Sequence, residues 1–245
     1  SNLENDKKLN LQHAFLLTAL SWISVAIFGS LPFIFSELNL NVTDSFFESM
    51  SGITTTGSTI ITDLNSAPKS ILLWRAILQW LGGIGIIVMA ITLMPIMNVG
   101  GMQLLKVSSG DASEKILPKT KEITIRIIII YLVLTSLCAF FYNIFGMRFF
   151  DSLTHSMTTI ATGGFSNYND SIGHFKNVKI EFTSMFFIIL GSIPFIAYIK
   201  YLSGKKNIFY TDSQIKSFIK IIFFSILILF FYLILFNENF SISSF

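Results

Sequence analysis

Residues 49–60 read SMSGITTTGSTI and residues 156–167 read SMTTIATGGFSN, and both offer one chemistry: backbone oxygens without helical partners. Aligned without gaps from Asp44 and Asp151, DSFFESMSGITTTG faces DSLTHSMTTIATGG. Asp, Ser, Ser, Met, Ile, Thr and Gly match, at seven of the fourteen places. β-Branched Thr and flexible Gly resist a continuing helix, so TTTGST and ATGGFS are expected as extended backbone. Each copy lies between long apolar stretches, where an unpartnered polar group is costly unless it is buried in protein or lines water. Carbonyl oxygens that line a pore avoid that cost, because they can replace the water around a cation. Gly57 and Gly164, at equivalent places, would permit backbone angles closed to other residues and turn carbonyls inward.

An element must position each segment. Asp44 to about Thr54 is predicted as a helix of roughly eleven residues, about 16 Å long, which reaches half-way through the hydrocarbon. Asp44 and Asp151 then stand near the positive end of the helix dipole. The other end points partial negative charge at the membrane centre, which suits a cation there.

Composition calls for a bilayer. Of the 245 residues 52% are hydrophobic and 13% charged, and mean hydropathy is +0.68. A water-soluble domain carries about a quarter charged residues. The net charge of +3, without a basic and aromatic surface pattern, speaks against nucleic acid. Cys138 is the single cysteine, and His13, His155 and His174 lack metal-ligand spacing, so neither a disulfide framework nor a transition-metal site is expected. The start SNLENDKKLN has no initiator Met or signal-peptide n-region, and NENFSISSF follows an apolar run, so a fragment of a larger protein is expected.

Five stretches can cross about 30 Å of hydrocarbon, which takes roughly 20 helical residues. They are 13–35, 71–97 (closed by Pro95), 123–145, 180–202 and 215–236. Twelve Lys and Arg accompany the N-terminus and the 98–126 and 200–220 segments, against Lys69, Arg75, Arg148, Lys176 and Lys179 on the other side. That bias puts the N-terminus in the cytoplasm and both polar segments outside. Arg75, at the outer end of the second span, is expected to snorkel to the interface. Glu48 and His155 occupy equivalent places on the two short helices, and Glu48 fits either a negative field at the mouth or a structural hydrogen bond. Gly82, Gly83 and Gly85 in WLGGIGII read as small residues for close helix contact rather than a dinucleotide fingerprint.

The run DSFFESMSGITTTGST, followed by WRAILQWLGGIGIIVMAITLMPIMNVGGMQLLK, resembles the Trk/Ktr/HKT-type potassium transporters, specifically the TrkH/TrkG branch. HSMTTIATGGFSNYNDSIGHF resembles the second pore segment of that branch, and the likeness extends over essentially the whole chain. It implies an all-α membrane protein, potassium-channel-like and truncated, of repeated units: outer helix, re-entrant pore helix with filter, inner helix. The implied layout is a cytoplasmic lead-in 1–12, a first pore repeat 13–98 (helix 13–35, pore helix and filter 43–59, helix 71–97) and a cytoplasmic linker 99–122. A second repeat 123–203 (helix 123–145, pore helix and filter 150–166, helix 180–202), a linker 204–214 and the first helix of a third repeat, 215–245, complete it.

Carried over position by position, potassium would be bound by main-chain carbonyls of Thr55, Thr56 and Gly57, then Thr162, Gly163 and Gly164. Gly164 is the filter glycine by the repeat alignment, and Gly163 a neighbouring carbonyl donor. The family implies potassium uptake across the bacterial inner membrane, with potassium as transported ion and no cofactor. It also implies a homodimer of the full-length protein in membrane lipid and a nucleotide-binding regulatory ring (TrkA-like) on the cytoplasmic face. The stretch around Lys106 reads as a cytoplasmic linker, a solvated loop in preference to a docking site for a regulator. Two rivals remain. A two-repeat subunit could dimerise into a pore, although the fifth span counts against it. An intramembrane enzyme would need clustered Asp, His, Ser or Cys at membrane depth, and no such constellation is found.

Overall fold

The computed structural model describes residues 11–97 and 116–236. The first ten residues of the expected lead-in, most of the 99–122 linker with Lys106, and residues 237–245 lie outside the described residues. Helices α1 (Leu11–Ile34), α2 (Val42–Ile53), α3 (Lys69–Met97), α4 (Ile116–Ile144), α5 (Phe149–Ile160) and α6 (Val178–Ser192) belong to a compact unit, Ser1–Ser192. A short 3-10 helix, Ser171–Phe175, precedes α6. A second unit, Ile193–Phe245, holds α7 (Phe195–Leu202), α8 (Ile208–Thr211) and α9 (Ser213–Phe236). No strand occurs among the described residues.

Helices α1, α3, α4 and α9 are each long and apolar enough to cross a membrane, and α6 with α7 gives a fifth crossing if taken as one interrupted span. Polarity is inverted relative to a water-soluble protein. Phe28, Phe35 and Phe149 are 70, 83 and 75% exposed, whereas Glu48, Ser49, Gln79 and Ser156 are fully buried. Lipid is the solvent that accepts such a surface. The chain is an all-α integral membrane protein of repeated helical units.

The first unit is built from two copies of long helix, short helix, long helix. α2 packs against α1 and α3, and α5 against α4 and α6. Helix α3 also packs against α5, so the last helix of the first copy supports the short helix of the second. Indole and phenol donors on these helices find partners in the apolar interior, as buried Trp and Tyr require. Trp74 Nε1 donates to the Gly29 carbonyl (2.9 Å) and Trp80 Nε1 to Thr135 Oγ1 (3.0 Å), while the Tyr131 hydroxyl donates to the Trp80 carbonyl (3.0 Å).

The short helices are too short to cross about 30 Å of hydrocarbon. Each has 12 residues, about 18 Å at 1.5 Å per residue. Asn41 starts α2, its side chain accepting from the Asp44 amide at 2.8 Å. The loop after α2 is held by a buried cluster of Phe33, Ile61, Leu64, Ala67, Ile71, Leu72 and Leu78.

Several expected bounds are corrected. The 180–202 span is not one helix: α6 stops at Ser192 and α7 starts at Phe195. Pro194 lacks an amide proton and drives its predecessor out of helical angles, which accounts for the break. Helix α4 starts at Ile116, ahead of the expected 123, so residues 116–122 of the linker are helical. Among the described residues α3 ends at Met97, the expected bound, two residues past Pro95. The 204–214 linker contains the single turn α8. In the second unit α9 is apolar all round, with Ile221, Leu229 and Leu235 well exposed, as suits a helix surrounded by lipid or other helices.

Candidate functional site

Chain reversal at the end of α2 is fixed by backbone hydrogen bonds. The amide of Thr54 donates to the Met50 carbonyl (2.9 Å), that of Thr55 to Gly52 (2.9 Å) and that of Thr56 to Ser51 (3.0 Å). The segment beyond is tied back by side chains. Ser51 Oγ donates to the Ser58 carbonyl at 2.6 Å. The Glu48 carboxylate accepts from Thr59 Oγ1 (2.9 and 3.0 Å) and from the Ile60 amide (3.0 Å).

The second copy repeats the three backbone bonds 107 positions later. Ala161 donates to Met157 (3.1 Å), Thr162 to Thr159 (3.0 Å) and Gly163 to Thr158 (3.0 Å). His155, equivalent to Glu48, bonds through Nε2 to Ser166 Oγ at 3.0 Å, and Ser166 is equivalent to Thr59. His155 Nδ1 lies 2.8 Å from the Asp151 carbonyl. A carbonyl only accepts, so Nδ1 carries the proton and Nε2 accepts a hydrogen bond from the Ser166 hydroxyl. Backbone angles coincide too. Thr55 and Thr162 have φ of 56 and 52°, and Gly57 and Gly164 of 80 and 83°. The segments are therefore not the plain extended strands expected, but pass twice through the left-handed region, which threonine adopts at a cost.

With their amides turned toward the helix ends, the carbonyls are left over. Among the described residues none of the carbonyl oxygens of Thr55, Thr56, Gly57, Thr162, Gly163 and Gly164 accepts a protein hydrogen bond. A cavity of about 240 Å³ opens beside Thr162, Gly163 and Gly164, walled on one side by Ser184 and Ile188 of α6. The two segments approach closely: a Cβ added to Gly57 would overlap the Gly163 carbonyl oxygen. Gly57 thus needs glycine for angle and for space. Gly164 needs it for angle alone, since nothing lies within 4 Å of its Cβ position. Backbone oxygens left without a protein partner can take the place of water around a cation.

Helix α3 holds both segments from behind. Arg75 does not snorkel; it is 1% exposed. Its Nε pairs with Glu48 Oε1 at 2.6 Å and its Nη1 donates to the Ser166 carbonyl at 2.9 Å. The guanidinium carbon also lies 4.1 Å from the Phe165 ring centroid, a cation–π stack. A buried guanidinium is tolerable because Glu48 meets it and the Ser166 carbonyl accepts a further hydrogen bond. Glu48 takes the structural option and is fully buried. One turn along α3, Gln79 Oε1 accepts from the Phe165 amide at 3.0 Å.

From the first turn of α5, the Asp151 carboxylate accepts from Asn167 Nδ2 (2.9 Å) and from the Tyr168 hydroxyl (3.1 Å), so it anchors the loop after Gly164. Burial and the Asp151 charge push the Tyr168 phenol up from its ordinary value, which keeps it a donor. The Leu64 amide donates to Asn169 Oδ1 at 2.9 Å and joins the loops that follow α2 and α5. No group of His, Cys, Asp and Glu able to hold a metal ion occurs among the described residues.

Residues 1–242 match the family model TrkH, described as a cation transport protein. The chain belongs to the TrkH family. It is 40% identical over 216 residues to the Trk system potassium uptake protein TrkI of Halomonas elongata, covering 88% of this chain and 44% of that protein. It is 39% identical over 226 residues to the Trk system potassium uptake protein TrkH of Escherichia coli K12, covering 91% and 47%. The crystal structure of the potassium transporter TrkH from Vibrio parahaemolyticus superposes with a TM-score of 0.84 at 34% identity, over 96% of this chain and 48% of that one. The chain thus spans about half the length of the relatives it matches.

Sequence reasoning placed the TrkH-family segments but missed what braces them. Arg75 and Gln79 stand four apart in the apolar run WRAILQW, one face of a helix, and polar side chains on such a face point inward by default. That spacing was the available signal. Extending the 107-residue offset past Gly164 would have paired Thr59 with Ser166. Gly82 does sit at a close contact, since an added Cβ would overlap the Ile53 carbonyl oxygen, whereas Gly85 has only Trp22 at 3.8 Å. In the second copy Gly191 stands against the Ile160 carbonyl in the same way (2.7 Å). Gly82→Ala is therefore expected to lower the thermal midpoint of the purified protein by several degrees, about 1–3 kcal/mol for an overpacked contact, and Gly85→Ala to leave it unchanged. Equal midpoints for the two variants would show that Gly82 is not a packing point.

Proposed function

We propose that this TrkH-family chain conducts potassium ions inward across the bacterial inner membrane, and that carbonyls of Thr55, Thr56, Gly57, Thr162, Gly163 and Gly164 replace the ion's water. The observation that carries this is the duplicated reversal, which leaves equivalent carbonyls unpartnered beside each other in both copies. Printed names of the similar proteins, potassium uptake proteins and a potassium transporter, support the choice of ion. The rest of the reading follows the sequence. The N-terminus is cytoplasmic and both filters face outside; residues 13–98 and 123–203 are pore repeats, and 215–245 opens a third. The full-length protein works as a homodimer, under a TrkA-like nucleotide-binding ring on its cytoplasmic face.

The test is ion flux through the full-length protein reconstituted in liposomes. Potassium and rubidium are expected to enter under an inside-negative potential, with sodium at least about tenfold slower, the discrimination that ~1.4 kcal/mol supplies. Equal sodium and potassium flux, or none of either through correctly inserted protein, would overturn the proposal.

A further inference from the structure

The geometry points to Gln79 as a positioning residue that determines ion specificity by setting the spacing between the two filter segments. The inference rests on the filter reading above and adds a residue outside the filter to it.

Gln79 is fully buried on α3 of the first copy, yet its bond goes to the second: Oε1 accepts from the amide of Phe165, the residue directly after Gly164. Its side chain occupies the place a Cβ on Gly163 would take, so Gly163 is glycine to admit Gln79. Gln79 Nε2 lies 3.7 Å from where a Gly57 Cβ would stand. One carboxamide is thus wedged against both segments where they come closest. Its Nε2 is buried without a hydrogen-bond partner. A buried amide that leaves a donor unused is held for something other than its own satisfaction. Here it fixes a gap. Cation selectivity depends on how many carbonyls reach the ion and how far apart they stand. A wedge that sets the distance between segments sets that term directly. Arg75, one turn away, grips the Ser166 carbonyl and the Phe165 ring; it fixes the end of the second segment, and Gln79 its distance from the first.

The experiment measures potassium and sodium uptake through the full-length protein carrying Gln79→Met, which keeps the length of the side chain and removes the acceptor. The potassium-to-sodium ratio is expected to fall about tenfold, ~1.4 kcal/mol, while potassium uptake itself falls less. A purely structural role would lower both ions together and leave the ratio unchanged, which would overturn the inference. Gln79→Asn, whose amide is one methylene too short for Phe165, is expected to show the same loss and decides the matter if Gln79→Met fails to insert. Gln79→Glu keeps the acceptor and is expected to hold a higher ratio than Gln79→Met; no difference between these two would also overturn it. Gly57→Ser measured in parallel separates the two levels. Loss of selectivity there with none at Gln79 overturns only the Gln79 assignment, and unchanged selectivity in both overturns the filter reading with it.

Discussion

Gly57→Ser is expected to remove potassium selectivity and to cut potassium uptake by about a hundredfold, as ~3 kcal/mol of lost stabilisation would. Two penalties fall on one residue. The φ of 80° disfavours any side chain, and a Cβ there would overlap the Gly163 carbonyl oxygen. Such strain costs on the order of 1–3 kcal/mol by itself, and the overlap moves one of the oxygens assigned to the ion. Gly164→Ser is the informative comparison. It has the same backbone angle, 83°, but open space around the Cβ position. It should retain most uptake and lose only part of the selectivity. Uptake assays that ranked Gly164→Ser as worse than Gly57→Ser would contradict the close approach of the two segments.

Arg75→Met carries the second large effect, on stability. It leaves the fully buried Glu48 carboxylate with only Thr59 and the Ile60 amide, and breaking a buried pair on one side costs about 3–5 kcal/mol. The thermal midpoint in detergent should drop by ten degrees or so, at about 2–4 °C per kcal/mol for a chain of this size. Glu48→Gln leaves the guanidinium unpaired and should be nearly as damaging. In the double variant neither charge is orphaned, so its loss should be smaller than the two single losses added. Additive losses, or a wild-type midpoint for Arg75→Met, would show that the pair does not hold the pore helix in place.

Much of the architecture is legible in the sequence because lipid imposes a simple grammar: long apolar runs must be helices, and polar segments between them need an excuse. The gapless match of Asp44–Gly57 to Asp151–Gly164 finds both re-entrant segments, and glycine at 57 and 164 coincides with the left-handed angles. The left-handed Thr55 and Thr162 are not legible, since threonine's preference points elsewhere and only the surrounding hydrogen bonds override it. Arg75 misleads for a related reason. An arginine near the end of an apolar run snorkels unless a counter-charge is buried within reach, and Glu48 lies 27 residues earlier on another helix. Gln79 stays hidden because its partner is a backbone amide, which has no signature in the sequence. Pro194 is visible in the sequence, and it accounts for the break between α6 and α7.

Helix α3 reaches across to residues made much later in synthesis. Ser166 lies 91 positions after Arg75 and Phe165 lies 86 after Gln79. When only the first copy has been made, Arg75 can meet Glu48, but its partner Ser166 and the Gln79 partner Phe165 do not yet exist. The first copy's own sequence cannot complete those contacts. Order of translation thus makes the early half provisional, and it matures only when its younger twin arrives beside it.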